Sequence, residues 1–239
     1  MNTKALGNLV INGIGSSNGG LFEKVELNGK GRVNGDTECA KLYCNGTGTI
    51  HGNVKTVKAK ISGAAKINGA VKAEELIING SASISEAVSS KVVEVSGKSF
   101  IGGSVKCDDM IVNGKVSIEG DCEAENFRAE GAFSVAGLLN AEIIDIKLFG
   151  DSRAKEIGGR NIKVVQHKES LFKLIKSIFP LKLEAEVIEG DEIELEGTVA
   201  AVVRGRNVKI GKNCEIGLVE YSGEYECQPE VLVKESRKI

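Results

Sequence analysis

Residues 76–120 read LIINGSASISEAVSSKVVEVSGKSFIGGSVKCDDMIVNGKVSIEG, and Gly80, Gly97 and Gly114 within this stretch stand 17 residues apart. The spacing extends outward through Gly29, Gly46 and Gly63 on one side and Gly131 on the other. A second series trails the first by six residues, at Gly35, Gly52, Gly69, Gly103, Gly120 and Gly137, with Glu86 as its interruption. Asn28, Asn45, Asn79 and Asn113 precede glycines of the first series. Asparagine and glycine are the residues expected where a backbone corner needs positive φ. A fixed period kept over seven units identifies a solenoid.

Between the corners, apolar residues alternate and recur in columns. Val25, Leu42, Ala59, Leu76, Val93, Met110 and Phe127 form one; Leu27, Cys44, Ile61, Ile78, Val95, Val112 and Ala129 form another two residues on. A second strand supplies Val33, Ile50, Ile67, Ile84, Ile101, Ile118 and Val135, and a third Thr37, Val54, Val71, Val88, Val105, Cys122 and Leu139. Alternation puts each set on one face of its strand, so three short strands per turn enclose a triangular interior. Asn-Gly also marks hairpins. Hairpins would give two corners of differing character per repeat, whereas three strands sharing one period favour parallel stacking. Windings about 4.8 Å apart make the seven clear repeats about 34 Å long. An earlier winding shows in Leu9, Ile11 and Gly13, slightly out of register, and the pattern weakens after Ile146, near Gly150.

The periodicity then changes. Leu171, Phe172, Leu174, Ile175, Ile178 and Phe179 are spaced as on one side of an amphipathic helix that Pro180 ends. Lys168, Lys173, Lys176 and Lys182 surround this face, making it a candidate partner or peripheral membrane contact; packing on the flank of the solenoid is the plainer expectation. Strand signals return after Glu189, and glycines recur every six residues at Gly205, Gly211, Gly217 and Gly223, which predicts 18-residue turns. The expected organisation is therefore a parallel β-helix over 1–150, a linker and amphipathic helix over 151–189, and resumed coils with a charged tail over 190–239.

Composition agrees with many short strands and glycine corners: 30 Gly, two Pro, no Trp and seven Phe. A formal net charge of -2 supplies no general field for nucleic acid or anionic membrane. The stretch from Met1 to Gly15 has no signal-peptide pattern, and no run of about 18 apolar residues occurs. The expected location is cytoplasmic, including the inner face of the cell membrane.

Few residues suggest chemistry. His51 occupies a corner column with Asn34, Asn68, Ser85 and Gly102, and His167 precedes the helical stretch. A left-handed hexapeptide-repeat acyltransferase, which uses a histidine base, is the enzymatic alternative; a monomeric β-helix binding module is the other. The acidic pairs Glu74 with Glu75 and Asp108 with Asp109 read as solvated corners, about 10 Å apart along the stack and without a calcium cage. Cys39, Cys44, Cys107, Cys122, Cys214 and Cys227 form no CxxC pair. Cys39 and Cys107 share a column but lie about 19 Å apart, too far for a disulfide. No catalytic, cofactor, metal, nucleic-acid or small-molecule site is expected.

The repeats VELNGKGRVNG (25–35), AKINGAVKAEEL (65–76) and MIVNGKVSIEGD (110–121) resemble the bactofilins, polymer-forming cytoskeletal proteins. The resemblance covers 9–146 well and 190–223 more loosely. It implies a right-handed β-helix whose ends stack on other copies, building filaments without bound nucleotide, often near the bacterial inner membrane, as scaffolds for cell shape, envelope or appendage assembly. This chain is longer than the compact family pattern, carries the helical interruption and lacks the family's proline-rich tails.

Physics gives a separate reason to expect assembly. The end winding of a parallel stack exposes unpaired backbone groups and an apolar cross-section unless something caps it. Eight residues before Leu9 are too few for a capping helix, which makes Leu9, Ile11, Val25 and Leu27 the candidate polymer interface. The partners expected are further copies of the chain and a related second subunit.

Overall fold

The computed structural model describes residues 6–166, 181–229 and 231–239. The chain divides into two compact units, Met1–Glu119 and Gly120–Ile239. Both are all-β parallel solenoids, and the described residues contain no helix. The amphipathic helix expected over 168–179 gains no support: Leu171, Phe172, Leu174, Ile175, Ile178 and Phe179 all fall outside the described residues.

From Val71 to Ile118 each winding of the first unit repeats three short strands, whereas Ile14–Leu27 and Lys30–Cys44 before them run on through corners as longer strands. Glu75–Ile78, Val92–Val95 and Asp109–Val112 stack on one side, Ser81–Ile84, Lys98–Ile101 and Lys115–Ile118 on the next, and Val71–Lys72, Val88–Ser89 and Val105–Lys106 on the third. Leu76 pairs with Val93 and Val93 with Met110; Ile84 pairs with Ile101 and Ile101 with Ile118. All six are completely buried. Alternation thus delivers like onto like, and each buried side chain contributes roughly 1.5–3 kcal/mol before conformational entropy opposes it.

The corners explain the glycines differently from the expectation. In the first series none has positive φ; among the described residues only Gly20, Gly35, Gly52 and Gly197, with the non-glycine Asn213, do. Proximity is the requirement instead. A Cβ on Gly29, Gly46, Gly63, Gly80, Gly97 or Gly114 would overlap the carbonyl oxygen of the glycine one winding earlier. The backbone comes this close because each amide donates to that earlier winding: Gly46 N to Leu27 O at 2.9 Å, Gly80 N to Ile61 O at 3.0 Å, Gly114 N to Val95 O at 2.9 Å. The asparagines serve the stack through their side chains, Asn28 Nδ2 donating to Asn12 Oδ1 at 2.9 Å and Asn45 Nδ2 to Asn28 Oδ1 at 2.8 Å.

The first described winding is one residue short. Leu9 pairs with Val25 and Ile11 with Leu27, steps of 16, and a bulge between Asn18 and Gly20 restores 17 at Gly20 with Thr37. This is the register offset visible in the sequence.

The second unit has longer strands that bend round the winding: Cys122–Ala129, Ala132–Leu148, Ser152–Gln166, Leu183–Leu195 and Thr198–Ile210, then Glu215–Tyr221, Tyr225–Cys227 and Leu232–Lys238, all parallel. Residues 152–166, within the expected linker, form a strand because Ala154, Ile157, Ile162 and Val164 continue the interior columns. Ile144 pairs with Ile162, Ile162 with Ile193 and Ile193 with Val208. The 18-residue turns expected after Glu189 are not formed. Leu183 pairs with Thr198, Val203 with Val219 and Glu215 with Leu232, steps of 15, 16 and 17. The six-residue glycine spacing arises because successive glycines mark different corners: Gly205 stacks on Gly190, whereas Gly211 donates its amide to Leu195 O.

Two substitutions test this packing by chemical denaturation of the full chain. Gly63→Ala, which forces a methyl group onto the Gly46 carbonyl, is expected to destabilise the fold by about 3 kcal/mol. Ser99→Ala is expected to stabilise it by about 1 kcal/mol, since Ser99 Oγ is buried without a hydrogen-bond partner among the described residues.

Candidate assembly surface

The residues singled out from the sequence meet in the first unit, but at two depths. Leu9 is half-buried and Ile11 buried in the strand Asn8–Ile11, while Val25 and Leu27 lie one winding further in, at 0% and 1% exposure. Asn8–Ile11 bonds on one edge to Lys24–Leu27. The described strands of that unit give it no second partner.

The outer surface of this winding was not anticipated. Leu6, Val10, Ile14 and Leu21 are exposed, Ile14 by 90%. They escaped notice because they occupy outward positions of the alternation, where polar residues are expected. One signal was available: no charged residue occurs between Lys4 and Glu23. Gly13 is equally distinctive. It holds the same corner as Gly29 and Gly46, yet a Cβ built on it would meet nothing within 4 Å.

The last described winding of the second unit has the opposite chemistry. Leu232–Lys238 lies on Glu215–Tyr221, placing Ser236 on Val219 and Val233 on Ile216, and most of its residues are exposed. Charged columns run toward it with alternating sign. In one, Arg128, Asp145, Lys163, Glu194, Lys209 and Glu226 are successive partners, with Lys163 to Glu194 at 3.0 Å and Lys209 to Glu226 at 3.6 Å. In another, Glu189, Arg204, Glu220 and Arg237 are partners; Arg204 reaches Glu189 at 2.9 Å and Glu220 at 2.7 Å, and Arg237 Nε donates to Glu220 at 2.8 Å. A slip by one winding would oppose like charges, so these columns fix register as well as adding modest attraction. The Arg237 and Arg204 guanidiniums bonded to Glu220, whose side chain is 6% exposed, hold its carboxyl below the usual carboxylate range.

The residues weighed for catalysis have structural surroundings. His51 Nδ1 lies 3.0 Å from Asn68 Nδ2 in a corner ladder, and His167 is outside the described residues. Glu75 pairs with Lys58 at 2.6 Å and Glu74 with Lys91 at 3.3 Å, while the amides of Asp108 and Asp109 both donate to Lys91 O at 2.9 Å. Cys39, Cys44, Cys107, Cys122 and Cys214 are buried thiols outside any disulfide; burial pushes Cys107 up to about 12 and Cys214 up to about 11. Among the described residues, no cluster of three or more His, Cys, Asp or Glu suits a metal, and no helix is long and apolar enough to cross a membrane.

Comparison with known proteins places this geometry in context. The family profile described as "Bactofilin: Polymer-forming cytoskeletal" matches residues 44–123. Uncharacterized protein YhbE of Bacillus subtilis (strain 168) is 62% identical over 232 residues, 97% of this chain and 98% of that protein. Uncharacterized protein YhbF of the same organism is 46% identical over 104 residues, 43% of this chain and 42% of that protein. No solved structure matches.

Glu220 makes the second unit acid-sensitive in a defined direction. Its folded carboxyl titrates below the unfolded value of about 4.3, so the stability it contributes is complete above that pH and is lost as pH falls through the lower, folded value. Denaturant titrations of wild type and Glu220→Gln across this acid range are expected to show a smaller loss of stability in the variant.

Proposed function

Because the chain belongs to the bactofilin family of polymer-forming cytoskeletal proteins, we propose that it is a non-enzymatic scaffold whose copies stack through winding ends into nucleotide-independent filaments. Right-handed winding is part of this reading, as the family resemblance implies. Gly13 is the observation that carries it. Every other glycine of its corner series in the first unit lacks a side chain because a preceding winding's carbonyl occupies that space, whereas Gly13 faces open space. A further winding laid on Asn8–Ile11 would give its glycine the same purpose.

Two other features support the same surface. Unpaired strand amides and carbonyls gain hydrogen bonds when another strand is added. The uncharged stretch between Lys4 and Glu23 can be covered without desolvating an ion, and Leu9, with the outward Leu6, Val10, Ile14 and Leu21, supplies apolar area. Val25 and Leu27 support this surface from beneath. The occupant is another copy of the chain, and a related chain with the same repeats is a second candidate subunit. The cytoplasm, including the inner face of the membrane, is the proposed location, with Leu171, Phe172, Leu174, Ile175, Ile178 and Phe179 as the proposed membrane or partner contact.

Electron microscopy and sedimentation of the purified full chain test the proposal. Wild type is expected to form filaments. Leu9→Glu is expected to abolish them, and Gly13→Ala to raise the critical concentration at least roughly tenfold, with unfolding midpoints near wild type for Gly13→Ala because the added methyl meets open space within the subunit. Wild-type protein that stays a monodisperse monomer across salt and concentration, or Gly13→Ala protein that assembles like wild type, contradicts the reading.

A further inference from the structure

The Asn-Gly corners that build the stack are also chemically labile. The glycine amide nitrogen can attack the asparagine side-chain carbonyl carbon, because no Cβ on glycine hinders ring closure. The bond from that carbon to Nδ2 breaks and ammonia leaves, giving a succinimide; water then opens the ring to aspartate or isoaspartate. The reaction needs water and no enzyme or oxidant.

Stacking opposes this chemistry at most corners. The amides of Gly46, Gly80 and Gly114 donate to carbonyls of the winding before at 2.9, 3.0 and 2.9 Å. An amide proton held by such an acceptor is harder to remove, and the nitrogen cannot swing onto the side chain without breaking the bond. Asn28 and Asn45 are further held by their own Nδ2 groups, which donate to the preceding asparagine. The Asn-Gly pairs at Asn18 and Asn68 are enclosed in another way, since a Cβ on Gly19 or Gly69 would overlap backbone of an adjoining winding.

At Asn34 the following glycine also has room, but Gly35 is held at positive φ inside the strand Lys30–Cys44, whereas Asn12 and Gly13 lie between strands and lack these restraints. Asn12 Oδ1 accepts from Asn28 Nδ2 at 2.9 Å, which polarises its carbonyl toward attack. Its own Nδ2 and the Gly13 amide have no partner among the described residues, and both residues are exposed. We infer that Asn12 is a site of spontaneous deamidation, the Asn12-Gly13 corner of the free subunit converting to aspartate and isoaspartate while Asn45, Asn79 and Asn113 stay intact.

The product places a carboxylate in a stretch that is otherwise uncharged from Lys4 to Glu23, and isoaspartate adds a methylene to the backbone at the corner. If the stacking proposed above holds, conversion retires unassembled subunits by age. A subunit already covered by another winding is protected, because that winding accepts the Gly13 proton.

Peptide mass spectrometry on the full chain, kept dilute in mildly alkaline buffer and sampled over time, tests the assignment. Asn12 is expected to convert at least roughly tenfold faster than Asn45, Asn79 and Asn113. Denaturant should erase the difference, and Gly13→Ala should slow conversion at Asn12 alone. Conversion at Asn12 no faster than at Asn45 in the dilute native chain overturns the assignment, whatever the chain's assembly state. Asn12→Asp protein that assembles like wild type overturns the retirement of aged subunits. Wild type that never assembles overturns the stacking proposal, and the rate comparison, made on free chain, still decides the chemistry.

Discussion

The structure depends on how closely one winding's backbone can lie on the next. At the first corner series the amide of each glycine from Gly29 to Gly114 reaches a carbonyl of the winding before, and the approach leaves no room for a Cβ on Gly46, Gly63, Gly80, Gly97 or Gly114. Once that contact is made, the strands on either side are in register and like side chains fall on like. The buried columns through Leu76, Val93 and Met110 and through Ile84, Ile101 and Ile118 follow from it. No winding satisfies these requirements alone, since each needs a neighbour for its backbone bonds and its apolar interior.

Outward positions add selectivity. In the second unit the corner spacing varies, so glycine periodicity cannot by itself specify which residue lies on which. Alternating charges in the columns from Arg128 to Glu226 and from Glu189 to Arg237 do so. The first described winding contrasts with both patterns. It carries the corner glycine and the apolar interior but no charge between Lys4 and Glu23.

The parallel solenoid of the first unit was legible in the sequence because a constant 17-residue step repeats every structural demand at the same position. The short step at Leu9 and Ile11 was visible as an offset, and the bulge at Asn18 to Gly20 explains it. Legibility failed where the step changed. Ser152–Gln166 pairs in steps of 18 and 31 with its neighbours near Ile162, so no simple period marks it as a strand, and the charge columns there are invisible until the partners are known. The expected positive φ holds at Gly35 and Gly52 of the second corner series but not in the first, where close approach selects glycine instead, and only coordinates separate the two causes. Of the candidate surface, Leu9 and Ile11 were legible from the columns, whereas Ile14 and Leu21 were not, because outward apolar residues break the alternation used to find the core.

Amide hydrogen exchange across Asn8–Ile11 and Gly13, compared between dilute and concentrated full-length protein, tests the central claim most directly. If another copy's winding completes this edge, the amides of Asn8, Val10 and Gly13, which point away from Lys24–Leu27, become strongly protected on concentration while those of Val93 and Val95, already bonded within the subunit, do not change. Exchange at Asn8–Ile11 that is the same at every concentration, in protein that nevertheless forms filaments, would contradict the account.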